Sequence, residues 1–421
     1  MSKKLLFFGW IILILSNCKT TQLVKKINKT FDASFYDNQF TGLLIYNPAT
    51  KDTIVSYNAN KYFTPASNTK IITLFTALKM LPNKIPAFKY SVEKDTITLL
   101  GTGNPAFLHP FFNDSTALKM AKKYQKVKLV VANFTDDKFA GGWAWEDYDR
   151  YFSTERSAFP LYGNVLTISN STDGLHVIPS KMNASLSSDK KFRRKYNENV
   201  FYYPSKRKDT LEIPMVINDA LISKLWSDLL PNKKIEITKV YPKKTETFYS
   251  IPSDSLYKRM MQVSDNFLAE QMLIMASSIL SDTLSSKNVR KHVLKKYLSD
   301  VKQEPRWVDG SGLSRYNLFT PTSFVQILEK LYIEIPRERL FNFFPVGGVS
   351  GTLQKWYPGN PTPYVFAKTG TVGNNHSVSG YLITNSGKTL IFSFMNNHFR
   401  KPSSKVKEKM QTVYEWLRDN Y

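Results

Sequence analysis

The stretch Ser67-Asn68-Thr69-Lys70 is followed, much later in the chain, by Ser264-Asp265-Asn266 and then by Lys368-Thr369-Gly370-Thr371. Each motif alone has little weight, because so short a pattern recurs by chance in long chains. The three in this order predict one active site. In it, a lysine activates a serine and a second lysine binds a carboxylate.

Ser67 lies near the start of a predicted helix, whose apolar residues follow the spacing i, i+3, i+4 and i+7. These residues are Ile71, Leu74, Phe75 and Leu78. Lys70 is three positions after Ser67, so the helix brings it to the same face, within reach of the serine Oγ. A serine needs a base to take its proton, and a lysine can be that base if burial or a second cation lowers its pKa. We interpret Ser67 as the nucleophile, Lys70 as its base and Lys368 as the candidate second cation. A solvated helix start is the alternative interpretation of this motif.

The second motif falls between two predicted helices, at residues 256–263 and 267–275. Such a break can present a hydroxyl and an amide to a cleft. Ser264 would then relay a proton, and Asn266 would hydrogen-bond the substrate backbone. An ordinary helix cap is the alternative, because Ser, Asp and Asn are all favoured at that position.

The third motif lies on a strand predicted at residues 365–371. Lys368 supplies a cation, and the hydroxyls of Thr369 and Thr371 supply donors for a carboxylate. Gly370 has no side chain, which leaves room for another backbone segment to approach the strand closely. The backbone N–H groups of Ser67 and Thr371 are the predicted oxyanion hole. An ordinary strand followed by a turn is the alternative.

The alternation of apolar residues places strands near both ends of the chain and helices between them. The predicted strands are 41–46, 53–57, 365–371, 381–384 and 389–395, and a C-terminal helix carries Val406, Met410, Val413 and Leu417. This order predicts an α+β fold with one antiparallel sheet built from both termini. The catalytic domain would comprise residues 30–83 and 251–421. The inserted region 84–250 would form one or two smaller domains, with a small β module at 170–215.

The N-terminus has the pattern of an export signal over residues 1–18. Lys3 and Lys4 precede a short apolar run at 5–15, a combination typical of a signal peptide. Cys18 follows that run and is the only cysteine, so no intramolecular disulfide can form. The position of Cys18 resembles that of the lipidated cysteine of bacterial lipoproteins. We expect an exported, periplasmic protein with a lipid anchor; a plain signal peptide with an incidental cysteine is the alternative.

The chain is strongly basic, with 58 lysines and arginines against 34 acidic residues and a formal net charge of +24. Nucleic acid is the first partner that such a charge suggests. The basic residues are scattered, however, and an exported protein seldom meets nucleic acid. We therefore expect a solvated surface with weak attraction to the anionic envelope and no nucleic-acid binding. The five histidines lack metal-ligand spacing, so neither a metal nor a cofactor is expected.

The ordered motifs resemble those of the class C low-molecular-mass penicillin-binding proteins, the D-alanyl-D-alanine carboxypeptidase/endopeptidase family. Further matching segments are Leu99-Leu100-Gly101-Thr102-Gly103-Asn104-Pro105, Gly142-Trp143-Ala144-Trp145-Glu146-Asp147, Asp309-Gly310-Ser311-Gly312-Leu313-Ser314 and Ser379-Gly380-Tyr381. The resemblance implies a penicillin-binding/β-lactamase-like domain, an antiparallel sheet flanked by helices. It also implies that a peptide ending in D-Ala-D-Ala, or a β-lactam, acylates Ser67 before hydrolysis. In relatives the aspartate of the tryptophan segment binds the amino end of the stem-peptide side chain, which makes Asp147 and Trp145 candidate substrate-binding residues. Core packing is the alternative for both tryptophans of the segment, Trp143 and Trp145.

The expected function is therefore that of a serine D,D-carboxypeptidase or D,D-endopeptidase. Its substrates would be peptidoglycan stem peptides, and β-lactams would inhibit it. A serine β-lactamase is a second hypothesis, although such enzymes usually lack so long an insertion between the first two motifs. A third is a non-catalytic envelope protein that only binds peptidoglycan, which the intact catalytic side chains disfavour. The sequence leaves open which of the two peptidase activities dominates.

Overall fold

A computed structural model describes residues 34–172, 174–187, 193–203, 207 and 209–421. The predicted signal peptide and Cys18 lie outside these residues. Within the described ranges, no helix combines the length and the apolar character that crossing a membrane requires.

The described residues form strands and helices in the following chain order. The strands are β1 Phe40–Asn47, β2 Asp52–Tyr57, β3 Lys84–Glu93, β4 Thr96–Gly101, β5 Lys126–Val130, β6 Val165–Ser171, β7 Gly174–Ile178, β8 Leu186–Ser187, β9 Phe201–Tyr202, β10 Leu211–Pro214, β11 Lys234–Thr238, β12 Glu246–Pro252, β13 Val365–Val372, β14 Asn375–Ile383 and β15 Thr389–Asn397. The α-helices are α1 Lys70–Met80, α2 Thr116–Ala121, α3 Asp219–Leu229, α4 Ser253–Gln262, α5 Asn266–Leu280, α6 Ser286–Tyr297, α7 Pro321–Glu334, α8 Arg337–Phe343 and α9 Ser403–Asn420.

The chain divides into two compact units. The first unit runs to Asn68 and continues with Val301–Arg306 and Leu318–Tyr421, while the second comprises Thr69–Asp300 and Trp307–Asn317. The division therefore falls inside the S-N-T-K motif. Both predicted limits of the inserted region, at 84 and 250, lie within the second unit, and the separation into a catalytic and an inserted domain stays a prediction.

The first unit contains a five-stranded antiparallel sheet in the order β13-β14-β15-β1-β2. The predicted sheet built from both termini is thereby confirmed, because β1 pairs directly with β15. The helix predicted at the C-terminus is α9, and its four predicted apolar residues are all buried. β14 begins at Asn375 rather than at the predicted residue 381, because the buried polar residues Ser377 and Ser379 interrupt the apolar pattern that strand prediction uses.

The second unit contains a five-stranded mixed sheet in the order β11-β5-β4-β3-β12 and a three-stranded sheet in the order β10-β6-β7. β5 begins at Lys126, where lysines alternate with the buried Val127 and Leu129. A continuous core lies between these sheets and α3, whose Trp226 is 1% exposed.

Helices α1 and α5 of the second unit pack against each other and are buried around most of their circumference. The sequence predicted a single apolar stripe on α1, whereas every residue from Lys70 to Ala77 is buried. The burial extends to two charged side chains, those of Lys70 and Glu270. A helix buried on all sides has little tolerance for charge, so these two residues point to chemistry rather than to packing.

Candidate active site

The nucleophile candidate Ser67 lies in a short helical turn, Ala66–Thr69. Its side chain is partly exposed between buried neighbours. Ala66 has a φ of 48°, a left-handed conformation that is uncommon for residues other than glycine. Such conformations concentrate at functional sites, where surrounding contacts hold them.

The side chain of Asn68 ties this turn to the middle of the first unit's sheet. Its Nδ2 donates to Ser379 Oγ at 2.8 Å, and Ser379 Oγ donates to Ser393 Oγ at 2.8 Å. Ser379 and Ser393 are directly opposed on β14 and β15. The residue next to the nucleophile is therefore fixed to two central strands rather than to a loop.

Gly370 allows β13 to approach the same turn. A Cβ atom at Gly370 would lie 2.4 Å from the carbonyl oxygen of Pro65 and 2.9 Å from the backbone nitrogen of Ser67. Real Cβ atoms essentially never come so close to backbone. The close backbone approach that the sequence predicted for this glycine is confirmed, and it brings the Ser67 N–H beside the K-T-G-T strand.

The other residues of the third motif lie on β13 as predicted. Lys368 is fully buried, and its Nζ donates to the backbone oxygen of Thr369 at 2.8 Å. Thr369 Oγ1 donates to Thr352 Oγ1 at 2.7 Å. Thr371 is exposed, and its Oγ1 lies 2.8 Å from Nδ1 of His376. The strand thus carries the buried Lys368 and, two residues apart, the hydroxyls of Thr369 and Thr371.

Lys70, in the second unit, is fully buried. Its Nζ donates to Asn266 Oδ1 at 2.6 Å and to the backbone oxygen of Ser311 at 2.7 Å. Burial lowers the pKa of Lys70 from 10.5 to about 8, because desolvation disfavours the charged form. The opposing effect comes from three carboxylates, those of Asp309, Asp265 and Glu270. Of the two causes that the sequence suggested, burial is therefore the dominant one.

The second motif occupies the break between α4 and α5, as predicted. Asp265 is the N-cap of α5 and accepts from the backbone nitrogen of Leu268 at 2.9 Å, so the ordinary capping role applies to this residue. Ser264 has a φ of 61° and is partly exposed. Asn266 donates from Nδ2 to the oxygen of Phe152 at 2.9 Å, which fixes its Oδ1 toward Lys70. Two of the predicted catalytic side chains, Lys70 and Asn266, are thus in direct contact.

A buried ion pair beside Lys70 was not predicted from the sequence. Glu270 is fully buried; its Oε1 accepts from the backbone nitrogen of Ser311 at 2.7 Å, and its Oε2 lies 3.4 Å from Nη1 of Arg156. Burial and the charge of Asp309 raise the pKa of Glu270. A single glutamate within the apolar sequence of α5 was the available signal, since such a charge needs a partner inside the fold.

Asp309 organises the loop that presents the Ser311 carbonyl to Lys70. Its carboxylate accepts from Gly312 N (2.9 Å), Ser314 N (2.7 Å), Asn317 Nδ2 (2.7 Å) and Trp143 Nε1 (2.9 Å). A carboxylate with this many charge-assisted bonds holds a loop in one conformation. The D-G-S-G-L-S segment therefore serves as a support for the lysine.

The tryptophan segment presents Trp145 and Asp147 at the surface of the second unit. Trp145 is 77% exposed, so the core-packing alternative is wrong for this residue. Burial and Glu146 raise the pKa of the Asp147 carboxyl, and Arg150 and Arg315 act against that shift. Arg315 was not among the predicted residues, although it directly follows the D-G-S-G-L-S segment.

Each unit carries its own set of predicted site residues. The first unit carries Ser67, the close backbone approach at Gly370 and the buried Lys368. The second unit carries Lys70, whose pKa is lowered and whose Nζ is held by an amide and a carbonyl. Among the residues that the structure describes, no group of histidine, cysteine or carboxylate side chains is arranged to hold a metal ion.

Comparison with known protein families identifies the chain. The model of the D-Ala-D-Ala carboxypeptidase 3 (S13) family matches residues 23–185 and 235–420. The chain belongs to this family. The resemblance inferred from the motifs is confirmed, and with it the prediction of a serine-type hydrolase of the D-Ala-D-Ala carboxypeptidase class.

Individual relatives agree with the family assignment. Penicillin-sensitive carboxypeptidase A of Dictyostelium discoideum is 22% identical over 461 residues, spanning 91% of this chain and 86% of the relative. D-alanyl-D-alanine carboxypeptidase DacB of Haemophilus influenzae is 27% identical over 180 residues, which is 41% of this chain and 37% of that relative.

Solved structures show the same fold. Penicillin binding protein 4 of Haemophilus influenzae matches 91% of this chain and 97% of its own with a TM-score of 0.72 at 19% identity. A predatory endopeptidase of Bdellovibrio bacteriovorus matches 90% of this chain and 94% of its own with a TM-score of 0.52 at 16% identity. The predicted α+β, penicillin-binding fold is confirmed.

Proposed function

We propose that the protein is a serine D,D-peptidase that cleaves peptidoglycan stem peptides through an acyl-enzyme on Ser67. Family membership supports the D-Ala-D-Ala specificity. The observation that carries the proposal is the burial of Lys70 against Asn266 and the Ser311 carbonyl, which brings the pKa of the lysine to about 8. A general base works best when its pKa is close to the working pH.

The proposed reaction begins when Lys70 Nζ takes the proton of Ser67 Oγ. The serine oxygen attacks the carbonyl carbon of the penultimate D-alanine, and the C–N bond to the last residue breaks as its nitrogen receives a proton through Ser264. The product is a serine ester, which water then hydrolyses to free the shortened peptide and regenerate Ser67. With a β-lactam, the same serine oxygen would attack the ring carbonyl and break the ring C–N bond, leaving an ester that water hydrolyses slowly.

The K-T-G-T strand has two proposed roles in this reaction. The backbone N–H groups of Ser67 and Thr371 stabilise the oxyanion, which the close approach at Gly370 supports. Lys368, with Thr369 and Thr371, binds the terminal carboxylate of the substrate. Asn266 binds the substrate backbone while its Oδ1 holds Lys70.

Purified protein should be incubated with monomeric pentapeptide muropeptides and with cross-linked dimers, and the products analysed by mass. The proposal predicts loss of one D-alanine from the monomer, cleavage of the dimer, or both, and predicts neither with Ser67→Ala. The control is Ser386→Ala, in the turn between β14 and β15, which should retain full activity. Wild-type protein that binds the sacculus without any cleavage contradicts the proposal, and rapid turnover of a β-lactam would favour the β-lactamase hypothesis instead.

We further propose that Asp147 and Trp145 bind the side chain of the stem peptide, with Arg315 as a third contact. Trp145 offers an exposed aromatic face, and the charge of Arg315 acts against the rise that burial causes in the pKa of the Asp147 carboxyl, which indicates that this guanidinium lies near the carboxyl. Such a pair suits a side chain that ends in both an ammonium and a carboxylate. Asp147 would bind the amino group, and Arg315 the carboxylate.

Asp147→Asn should reduce kcat/KM about tenfold for a stem peptide with a free side-chain amine, because one charge-assisted bond is lost. The rate on the same peptide with that amine acetylated should change little. Glu146→Gln, in the same turn, is the matched control and should leave the preference for the free amine intact. Equal losses of kcat/KM on both peptides would show that Asp147 does not bind the side-chain amine.

Export and a lipid anchor at Cys18 are also part of the proposal. Support comes from the basic residues, the apolar run and the single cysteine of the N-terminus. The full chain expressed in a Gram-negative host should fractionate with membranes, and Cys18→Ser should shift it to the soluble periplasmic fraction. Membrane association that survives Cys18→Ser would contradict lipidation of this cysteine.

A further inference from the structure

A row of polar residues crosses the sheet of the first unit and ends at Thr371. Thr41 on β1 opposes Asn396 on β15, Asn396 opposes His376 on β14, and His376 opposes Thr371 on β13. Directly opposed residues share one face of a sheet. The first three are 4%, 0% and 1% exposed, whereas Thr371 is exposed. The row therefore connects a buried polar network to a hydroxyl of the K-T-G-T strand.

The orientation of the Asn396 amide is set by the strand beside it. Its Oδ1 accepts from Thr41 Oγ1 at 3.0 Å and from Gln39 Nε2 at 3.4 Å. Its Nδ2 is consequently turned away from these donors, and this buried group has no partner among the described residues. A buried N–H donor without an acceptor is costly. The next residue of the row, His376, has a buried Nε2 that also has no partner there.

The state of the His376 ring follows from these contacts. Burial lowers the pKa of His376 to about 3, so the ring is neutral and carries one proton. A proton on Nε2 would leave a second buried donor opposite the unpaired Nδ2 of Asn396. A proton on Nδ1 instead donates to Thr371 Oγ1, at 2.8 Å, and leaves Nε2 as an acceptor opposite that amide. Both tautomers keep the hydrogen bond between His376 Nδ1 and Thr371 Oγ1. The second tautomer is favoured because it avoids two buried, unpaired donors on opposed residues, His376 and Asn396.

The tautomer of His376 determines whether the Thr371 hydroxyl can donate a hydrogen bond to a ligand. A hydroxyl has one hydrogen to donate and two lone pairs to accept with. If Thr371 Oγ1 accepts from His376, its own hydrogen remains for a group outside the strand. If it donated to His376, only lone pairs would face a carboxylate, and these would repel it.

We propose that His376 is a positioning residue that holds the Thr371 hydroxyl as a hydrogen-bond donor to the substrate carboxylate, with Asn396 selecting the ring tautomer. The inference rests on the proposed function, in which the K-T-G-T strand binds the terminal carboxylate. It adds a residue that lies outside the three motifs and acts only through Thr371.

The test compares two probes that differ only in the carboxylate, benzylpenicillin and its methyl ester. Second-order acylation rates of both are measured on the same sample, so that their ratio does not depend on the fraction of folded protein. His376→Leu should reduce the acid-to-ester ratio about tenfold, the size of one lost bond to a charged group. His376→Asn, whose amide can still donate to Thr371, should keep the ratio within about twofold of the wild type.

A double-mutant cycle shows whether His376 acts through Thr371. Thr371→Val should lower the ratio as His376→Leu does, and the double variant should lower it no further. Losses that add in the double variant, an unchanged ratio in His376→Leu, or a wild type that does not discriminate between the probes would each overturn the inference. A wild type that neither probe acylates refutes the proposed function itself, so the two failures are distinguishable.

Discussion

Burial of the Lys70 amino group is the physical constraint on which the proposed catalytic chemistry depends. An ammonium inside a helical core is strongly disfavoured unless polar groups compensate it. Here a side-chain amide and a backbone carbonyl accept its hydrogen bonds, and neither carries a full charge. Nearby carboxylates favour the charged form of Lys70. Their effect is limited, because Glu270 also pairs with Arg156 and the Asp309 carboxylate already accepts hydrogen bonds from its own loop. The balance yields a pKa of about 8 rather than 10.5.

In the proposed reaction, the first unit supplies the backbone N–H groups and hydroxyls that bind developing or permanent negative charge. A missing side chain at Gly370 admits the turn that carries Ser67, and Asn68 ties that turn to Ser379. Polar residues occupy buried positions on β14: Ser379 accepts a hydrogen bond from Asn68, and His376 lies beside Thr371. Preorganised donors of this kind need no rearrangement during the reaction, which makes them effective in catalysis.

The sequence was sufficient for features that local patterns encode. Strand alternation located β1, β2, β13 and β15, and helical spacing located α9 with its buried face. The three motifs, read in order, identified the family. The start of β14 was missed because polar residues of the buried network break the apolar alternation there.

The buried network could not be predicted, since its partners are distant in sequence. Glu270 meets Arg156, and the Ser311 carbonyl meets Lys70, only once the fold has formed. The exposed position of Trp145 was likewise a matter of tertiary structure, because the residue type alone favours a core. Whether a lysine is buried enough to act as a base is therefore a property of the fold and not of the motif.

The central claim is that Lys70, with a pKa lowered by burial, is the base that activates Ser67. The rate of acylation by benzylpenicillin at limiting concentration, measured between about pH 6 and pH 9, tests it most directly. Neutral Lys70 becomes more abundant as the pH rises, so the rate should increase about tenfold per pH unit at the acid end and level off above about pH 8. Lys70→Met should abolish the acylation. A rate independent of pH in this range, or one that still rises about tenfold per unit at pH 9, would contradict the account.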